Sequence, residues 1–346
     1  MLEILFVFLM IAISLFVLVK GADYLIDGAS DFARFMRISP IIVGLTIVAF
    51  GTSLPEFIVS LFSALSGQPD ISIGNIIGSN IANITLILGV CVIIAKKIKV
   101  KSKTLIYEFP FLIFSSFLLL ILANDFFIFG ENTFSLGRFD GVIFTIVFLA
   151  FMYYIFKTIK EDKKTIKKEF TEEYKHENSL WKNISYMVGG IIALVAGGKL
   201  FTTYAGQLSE LAGLSQSFIG LTIAALGTSL PELAASGVAA WKGHGNIAIG
   251  NVVGSNIFNV LFVLGMTSLI KPIEISASVL SIDAVIMIFI SMIFLVFATR
   301  NKALNRKEGI ALLSMYVVYI AFTVWRIWLT KRRILKENSG RTSILE

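Results

Sequence analysis

Two six-residue stretches of this chain could do chemistry, and they are the same stretch. Gly51-Thr52-Ser53-Leu54-Pro55-Glu56 recurs as Gly227-Thr228-Ser229-Leu230-Pro231-Glu232. Each copy sets a carboxylate and two hydroxyls inside an apolar run long enough to cross a bilayer. A charged side chain at membrane depth costs about 2.5–3.5 kcal/mol on insertion scales, so an acid there reads as functional. Glycine and proline together break a helix and free backbone carbonyls, which is tolerated in a membrane only where they face protein or a wet cavity. Neither Glu56 nor Glu232 has a lysine or arginine in its own span, which argues against scaffolding ion pairs.

Glu56 and Asn83 are 27 residues apart, as are Glu232 and Asn259. An antiparallel helical hairpin would bring each acid and its asparagine to similar depth. The two copies would then form one cage. It would contain Glu56 and Glu232, the hydroxyls of Thr52, Thr228, Ser53, Ser229, Ser79 and Ser255, and the amide oxygens of Asn83 and Asn259. Carbonyls released at the helix breaks, those of Ala49 and Ala225, would add to it. This ligand set is all oxygen. Hard cations fit it, since Ca²⁺ takes six to eight oxygens at about 2.3–2.6 Å, whereas zinc or copper would favour His or Cys. Two ionised carboxylates are neutralised equally by one Ca²⁺ or by two Na⁺, a physical basis for exchanging one for the other. For the hydroxyls taken singly, a bland reading competes: inter-helical bonds worth roughly 0.6 kcal/mol each.

The elements that must position these groups are membrane spans. The 346 residues are 56% hydrophobic and 15% charged, with 30 phenylalanines, unlike a soluble domain. Mean hydropathy is +0.84. Apolar runs near 20 residues predict an all-α polytopic membrane protein with ten spans, near 3–33, 39–65, 71–95, 104–123, 139–157, 183–211, 215–241, 247–270, 276–298 and 308–330. The first and sixth are long enough to tilt steeply, and their polar residues (Lys20, Asp23 and Asp27; Lys199 and Thr203) read as interfacial or inter-helical pairing. The chain divides into a five-span half (1–157), a charged linker (158–182), a second five-span half (183–330) and a basic tail (331–346).

Loops after odd-numbered spans hold 20 basic residues; loops after even-numbered spans, with the tail, hold 7. The positive-inside rule then makes the odd loops cytoplasmic and places both termini outside. The net charge of +7 lies between the apolar runs and so does not point to nucleic acid. Cys91, in an apolar run, reads as a small core residue. The two histidines, His176 and His244, lack partners at metal-ligand spacing and read as surface residues. No cofactor is expected, and no nucleic-acid or obligate protein partner.

Residues 44–89 align without a gap to 220–265 at an offset of 176, with 25 of 46 positions identical. Identities include Gly74-Asn75 with Gly250-Asn251, and Gly78-Ser79-Asn80-Ile81 with Gly254-Ser255-Asn256-Ile257. The offset contains five spans, an odd number, so the copies enter the membrane from opposite faces. Inverted repeats of this kind place a site near the midplane, between the halves. The Gly74/Gly78 and Gly250/Gly254 pairs also suit close helix approach.

With the doubled GTSLPE followed by GNxxGSNxxN, the chain resembles the cation/calcium antiporter superfamily, most closely its sodium/calcium exchangers. The resemblance implies broken second, third, seventh and eighth spans, alternating access by sliding of the tilted first and sixth, and electrogenic exchange of Na⁺ for Ca²⁺. By motif it implies that Glu56 and Glu232 are shared Ca²⁺ and Na⁺ ligands, with Thr52, Thr228, Ser53, Ser79, Ser229, Ser255, Ala49 and Ala225 completing the Na⁺ sites. Some relatives have an aspartate where Asn259 stands; here the cage has one titratable group fewer. The proton-coupled branch carries different signatures around its glutamates. The expected function is a Na⁺/Ca²⁺ antiporter in a cell membrane. The alternatives are an H⁺-coupled or K⁺-assisted antiporter and, less favoured by inverted repeats, a passive cation channel. An enzyme is not expected, because no nucleophile–base arrangement accompanies the acids.

Overall fold

The computed structural model describes residues 2–124, 134–169, 179–211 and 225–342. Backbone polar groups in lipid must be satisfied within the chain, which leaves helices as the spanning unit here. The helices are α1 (Leu2–Met36), α2 (Pro40–Thr52), α3 (Leu54–Leu65), α4 (Pro69–Ala95), α5 (Ser102–Leu122), α6 (Arg138–Glu169), α7 (Leu180–Leu211), α8 (Ala225–Thr228), α9 (Leu230–Trp241), α10 (Gly245–Ile270), α11 (Val279–Asn301) and α12 (Arg306–Thr342). Among the described residues eight of these are long and apolar enough to cross a membrane, and α2 with α3 makes a ninth span bent by 43°. The seventh expected span is visible as α8 and α9; its first part, within 212–224, lies outside the described residues, as do 170–178 of the linker with His176.

Four prolines sit where a helix start tolerates them. Pro40, Pro55, Pro69 and Pro231 each occupy the first or second position of their helix, where the missing N–H has no intrahelical partner to lose. The breaks fall at one residue in each half: Ser53 (φ −82°, ψ 3°) and Ser229 (φ −89°, ψ 3°). The third and eighth spans, expected to be broken, run through. Each instead contains a π-helical stretch, Asn83–Ile87 in α4 and Phe258–Leu264 in α10. A π turn widens the helix locally and frees a backbone group without a gap, a common device near functional sites.

Two short antiparallel ribbons join the halves. Strand β1 (Lys97–Lys99), after the third span, pairs with β4 (Ala303–Asn305), after the ninth. Strand β2 (Ser135–Leu136), after the fourth, pairs with β3 (Ile273–Glu274), after the eighth. At the centre lie α4 and α10, whose most apolar windows are 78% and 94% buried; those of α1 and α7 are 22% and 28% buried. Cys91 is buried in this core.

Helices α1 and α7 lie against each other through glycine. A Cβ on Gly21 would stand 3.0 Å from Leu194 N and 3.1 Å from Gly190 O; one on Gly197 would stand 3.1 Å from Leu18 N and 3.2 Å from Ser14 O. These are the same contacts related by the offset of 176, so the repeat extends into the first and sixth spans. The polar residues of α1 are paired, as expected of them: Lys242, just after α9, lies 3.2 Å from Asp23 and 2.8 Å from Asp27, and Lys20 lies 3.6 Å from Asp23.

Candidate ion-binding site

The breaks at Ser53 and Ser229 turn the next helical turn inward. Glu56 and Glu232, both in the first turn after a break, are fully buried. Each acid is reached by a hydroxyl from the opposite half. Ser53 donates to Glu232 Oε1 at 3.4 Å, and Ser229 donates to Glu56 Oε1 at 3.5 Å. Ser79 also donates to Glu56 Oε1, at 3.4 Å, and Ser229 lies 3.0 Å from Ser79 Oγ. The two carboxylates, the two break serines and the third span therefore meet in one place. Ser255, the counterpart of Ser79, faces Thr52 at 3.5 Å instead.

The threonines also reach across. Thr52 donates to Asn251 Oδ1 at 3.2 Å, and Thr228 to Asn75 Oδ1 at 3.1 Å. Those asparagines are held in turn: Asn75 Nδ2 donates to Ser60 Oγ at 3.1 Å and Asn251 Nδ2 to Ser236 Oγ at 2.9 Å. The amides of Asn83 and Asn259 do not bond the glutamate of their own half. Asn83 Nδ2 donates to Asn256 Oδ1 at 2.9 Å, and Asn259 Nδ2 to Asn80 Oδ1 at 3.0 Å. Asn80 and Asn256 close the ring by each donating to the other's backbone carbonyl, at 3.3 and 3.2 Å. Helical hairpin geometry alone placed Asn83 opposite Glu56; the two-fold relation between halves places it opposite Asn256, because α4 and α10 cross at that depth.

Six residues that hold this network were not singled out as ligand candidates: Ser60, Asn75, Asn80, Ser236, Asn251 and Asn256. All six are identical between the two copies at the offset of 176, and that identity was the available signal. Ala49 O accepts from Ser53 N at 3.0 Å and Thr52 Oγ1 at 3.4 Å, so the carbonyl stays inside the helical ladder. Ala225 opens α8. The motif glycines do something other than bend the chain. A Cβ on Gly51 would lie 2.4 Å from Ile191 Cδ1, and one on Gly227 1.7 Å from Thr202 Cγ2, so both let α7 press against the breaks. Gly250 and Gly254 admit α2: their Cβ atoms would lie 2.5 Å from Ile41 O and 2.7 Å from Leu45 O. No described residue lies within 4 Å of a Cβ on Gly74 or Gly78.

Four buried oxygens here have no hydrogen-bond donor among the described residues: Glu56 Oε2, Glu232 Oε2, Asn83 Oδ1 and Asn259 Oδ1. They are two symmetry-related pairs. Buried polar oxygens are ordinarily satisfied, and an exception in a native structure calls for an explanation such as an ion. The buried acid Asp283, by contrast, lies 2.7 Å from Arg326; Glu108 accepts from Tyr154 at 2.9 Å through Oε1, and its Oε2, like those of the two glutamates, has no donor among the described residues. Neither Glu56 nor Glu232 makes an ion pair with a basic residue among the described residues. Two buried carboxylates without a base demand a counter-charge, either a cation or a proton. His244, expected at the surface, is half-buried just before α10; burial and then the charge of Arg34 hold its imidazole below the ordinary histidine value.

The chain matches the family described as "Sodium/calcium exchanger protein" over residues 6–157 and 182–325. It is 33% identical to the sodium/calcium exchanger MaX1 of Methanosarcina acetivorans, over 90% of this chain and 97% of that protein. It is 32% identical to the inner membrane protein YrbG of Escherichia coli, over 91% and 96% respectively. Among solved structures it resembles the sodium-calcium exchanger NCX_Mj soaked with Na⁺ and Sr²⁺, with a TM-score of 0.76 at 28% identity, covering 92% of this chain and 99% of that one. The same exchanger soaked with Na⁺ and Ca²⁺ gives a TM-score of 0.73 at 30% identity, covering 89% and 95%. The break geometry, the mirrored network and these matches have one reading: the chain belongs to the sodium/calcium exchanger family of cation antiporters, multi-pass membrane transporters and not enzymes.

Proposed function

We propose that this protein exchanges Na⁺ for Ca²⁺ across the membrane by alternating access, with Glu56 and Glu232 as the ligands both ions share. The observation that carries this reading is the set of four unpartnered oxygens from Glu56, Glu232, Asn83 and Asn259, buried in a base-free cage lined by hydroxyls. Thr52, Ser53, Ser79, Thr228, Ser229 and Ser255 supply further oxygens to whichever ion is bound. Ca²⁺ neutralises the acid pair at once and Na⁺ needs more than one copy, so the two compete for the same charge. An ion-free cage carries two uncompensated charges, and moving it past the lipid interior is unfavourable. That coupling of occupancy to reorientation is what turns a binding site into an exchanger. Helices α1 and α7, joined through Gly21, Gly190 and Gly197, move as the sliding pair against the remainder. The basic loops face the cytoplasm and both termini lie outside.

Sealed vesicles loaded with Na⁺ and diluted into Na⁺-free medium containing Ca²⁺ test the proposal. Uptake should require the outward Na⁺ gradient and vanish in Glu56→Gln and Glu232→Gln; uptake at the normal rate in either variant overturns it. A second reading, proton coupling, has its own support in the same two acids, since protons would also satisfy a base-free pair. It predicts Ca²⁺ uptake driven by a pH gradient with Na⁺ absent. A K⁺ gradient imposed in the same way separates the K⁺-assisted variant.

A further inference from the structure

The ribbon of β1 and β4 concentrates positive charge beyond what the loops require. Its register pairs Lys97 with Asn305, Ile98 with Leu304 and Lys99 with Ala303. Alternation buries Ile98 and turns Lys97 and Lys99 outward. Lys302 and Arg306 bracket β4 at its two ends and are exposed as well. Lys302 is fixed there by its carbonyl, which accepts from Val100 N at 2.8 Å. At about 3.3–3.4 Å per residue the four cations fall within a patch about 13 Å long. Among the described residues none of the four is ion-paired. The nearby carboxylate, Glu308, is spent on Asn305 N at 3.0 Å, while Lys101 turns away to donate to Ser39 at 2.9 Å. Lys96 and Lys302 also hold positive φ, 62° and 47°, a conformation that glycine or asparagine usually takes at helix ends. Retaining lysine there sacrifices backbone comfort for charge, and such departures concentrate at functional sites.

The excess of basic residues that orients a membrane protein is counted loop by loop. It would be met with these two loops apart. The other ribbon has the same build and lacks the charge: β2 and β3 carry Glu274, Arg138 donates to Leu269 O at 3.3 Å, and Asp70 accepts from Ser276 N at 3.2 Å. The two ribbons lie after odd and even spans, so orientation accounts for which of them is basic; what the register adds is that cations of two distant loops are gathered on one ribbon.

We propose that the β1–β4 ribbon binds the phosphate headgroup of an anionic phospholipid in the leaflet it adjoins, through Lys97, Lys99, Lys302 and Arg306. A lipid, as opposed to free phosphate, fits the apolar side chains that flank the patch at the helix ends. Ile94, Ile106 and Ile310 are 42%, 63% and 52% exposed and offer a path for acyl chains. The bound lipid would pin two loops, one from each half, without touching the ion cage.

The test uses the purified full-length protein in neutral detergent, titrated with dioctanoyl-phosphatidylglycerol and, separately, with dioctanoyl-phosphatidylcholine. Phosphatidylglycerol should bind at least about tenfold more tightly. Each single substitution, Lys97→Gln, Lys99→Gln, Lys302→Gln or Arg306→Gln, should weaken it about fivefold, and the fourfold variant more than about a hundredfold. The single variants keep the test decisive should the fourfold one not fold. Lys157→Gln with Lys160→Gln, on the same membrane side, should change nothing. Unchanged binding in the single variants, or an equal loss in the Lys157/Lys160 variant, overturns the proposal. Displacement of the lipid by millimolar inorganic phosphate overturns the assignment to lipid.

Discussion

The polar centre and the α1/α7 pair are built on opposite principles. In the centre, side chains of α2, α3 and α4 bond those of α8, α9 and α10: Ser53 to Glu232, Thr52 to Asn251, Asn83 to Asn256, each with its mirror contact. Between α1 and α7 the close contacts are backbone atoms approaching glycine, with Gly190 so placed that a Cβ would lie 2.6 Å from Leu25 N. Hydrogen-bonded side chains fix register, because each donor has one acceptor within reach. A glycine surface fixes distance and leaves sliding against other elements comparatively free. Where the pair meets the centre, the same economy holds: Gly51 and Gly227 receive Ile191 and Thr202 of α7. A charged tie between them runs from Lys242 to Asp23 and Asp27. The contrast teaches that the buried acids belong to a cross-braced body, and that the pair beside it is held by shape.

The largest expected effect breaks the centre. Glu56→Gln or Glu232→Gln removes half of the cage charge, a change of about 3–5 kcal/mol when one member of a buried charge set is lost. Ca²⁺ affinity should fall more than about a hundredfold. Ca²⁺ at a hundred times its Kd should stabilise the wild type by about 2.7 kcal/mol in thermal unfolding, and this gain should disappear in both variants. A retained ion-induced shift would place the ions elsewhere.

Next comes the shape of the pair. Gly227→Ala drives a methyl into the Thr202 side chain and should lose about 1–3 kcal/mol, with recovery in the double variant Gly227→Ala/Thr202→Ser because the obstructing Cγ2 is gone. Gly190→Ala meets backbone, so no side-chain change on α1 should rescue it. Equal rescue at both sites would dissolve the distinction between side-chain and backbone contact. Smaller again, Asn75→Ala and Asn251→Ala each release one threonine and one serine at roughly 0.6 kcal/mol per lost contact. They should raise the Ca²⁺ KM a few fold and leave maximal rate nearly intact in the vesicle assay.

The smallest effect concerns the charged tie. Lys242→Met should change stability by less than about 1 kcal/mol, as partly exposed pairs do, and the change should shrink at high salt. Burial alone would lower the Lys242 ammonium, but the bonds and charges of Asp27 and Asp23 more than offset it and hold it above the ordinary lysine value. A raised lysine contributes stability at and below its unfolded value and loses it as pH climbs past the folded one. The contribution should therefore be flat through neutral pH and decline only in strongly alkaline buffer; a decline as pH climbs through 7 would overturn the assignment to the lysine.

Much of the site was legible because inversion leaves a written trace. A doubled GTSLPE inside apolar runs requires two buried acids, and lipid offers no other partner for them, so Glu56, Glu232 and their hydroxyls follow from residue types and depth. The span plan follows from hydropathy, since in lipid a helix is the cheapest way to satisfy a backbone. The asparagine wiring was not legible. Asn83 and Asn259 were readable as polar residues at site depth, but their partners depend on how α4 and α10 cross, and crossing is a property of two surfaces. Nor could periodicity reveal the π turns that replace breaks in those spans, because a π turn changes the helix by one residue without any glycine or proline to announce it.

Sequence alone determined that this chain crosses a membrane many times, that its halves are inverted copies, and that each delivers one acid to the interior. Tertiary structure alone decided which hydroxyl serves which acid, that the motif glycines admit α7, and that lysines from two distant loops share one ribbon. The physical reason is range. Hydrophobicity, charge and local helix chemistry act within a segment and are read from its letters, whereas a cross-half contact exists only once two segments have chosen their distance and angle.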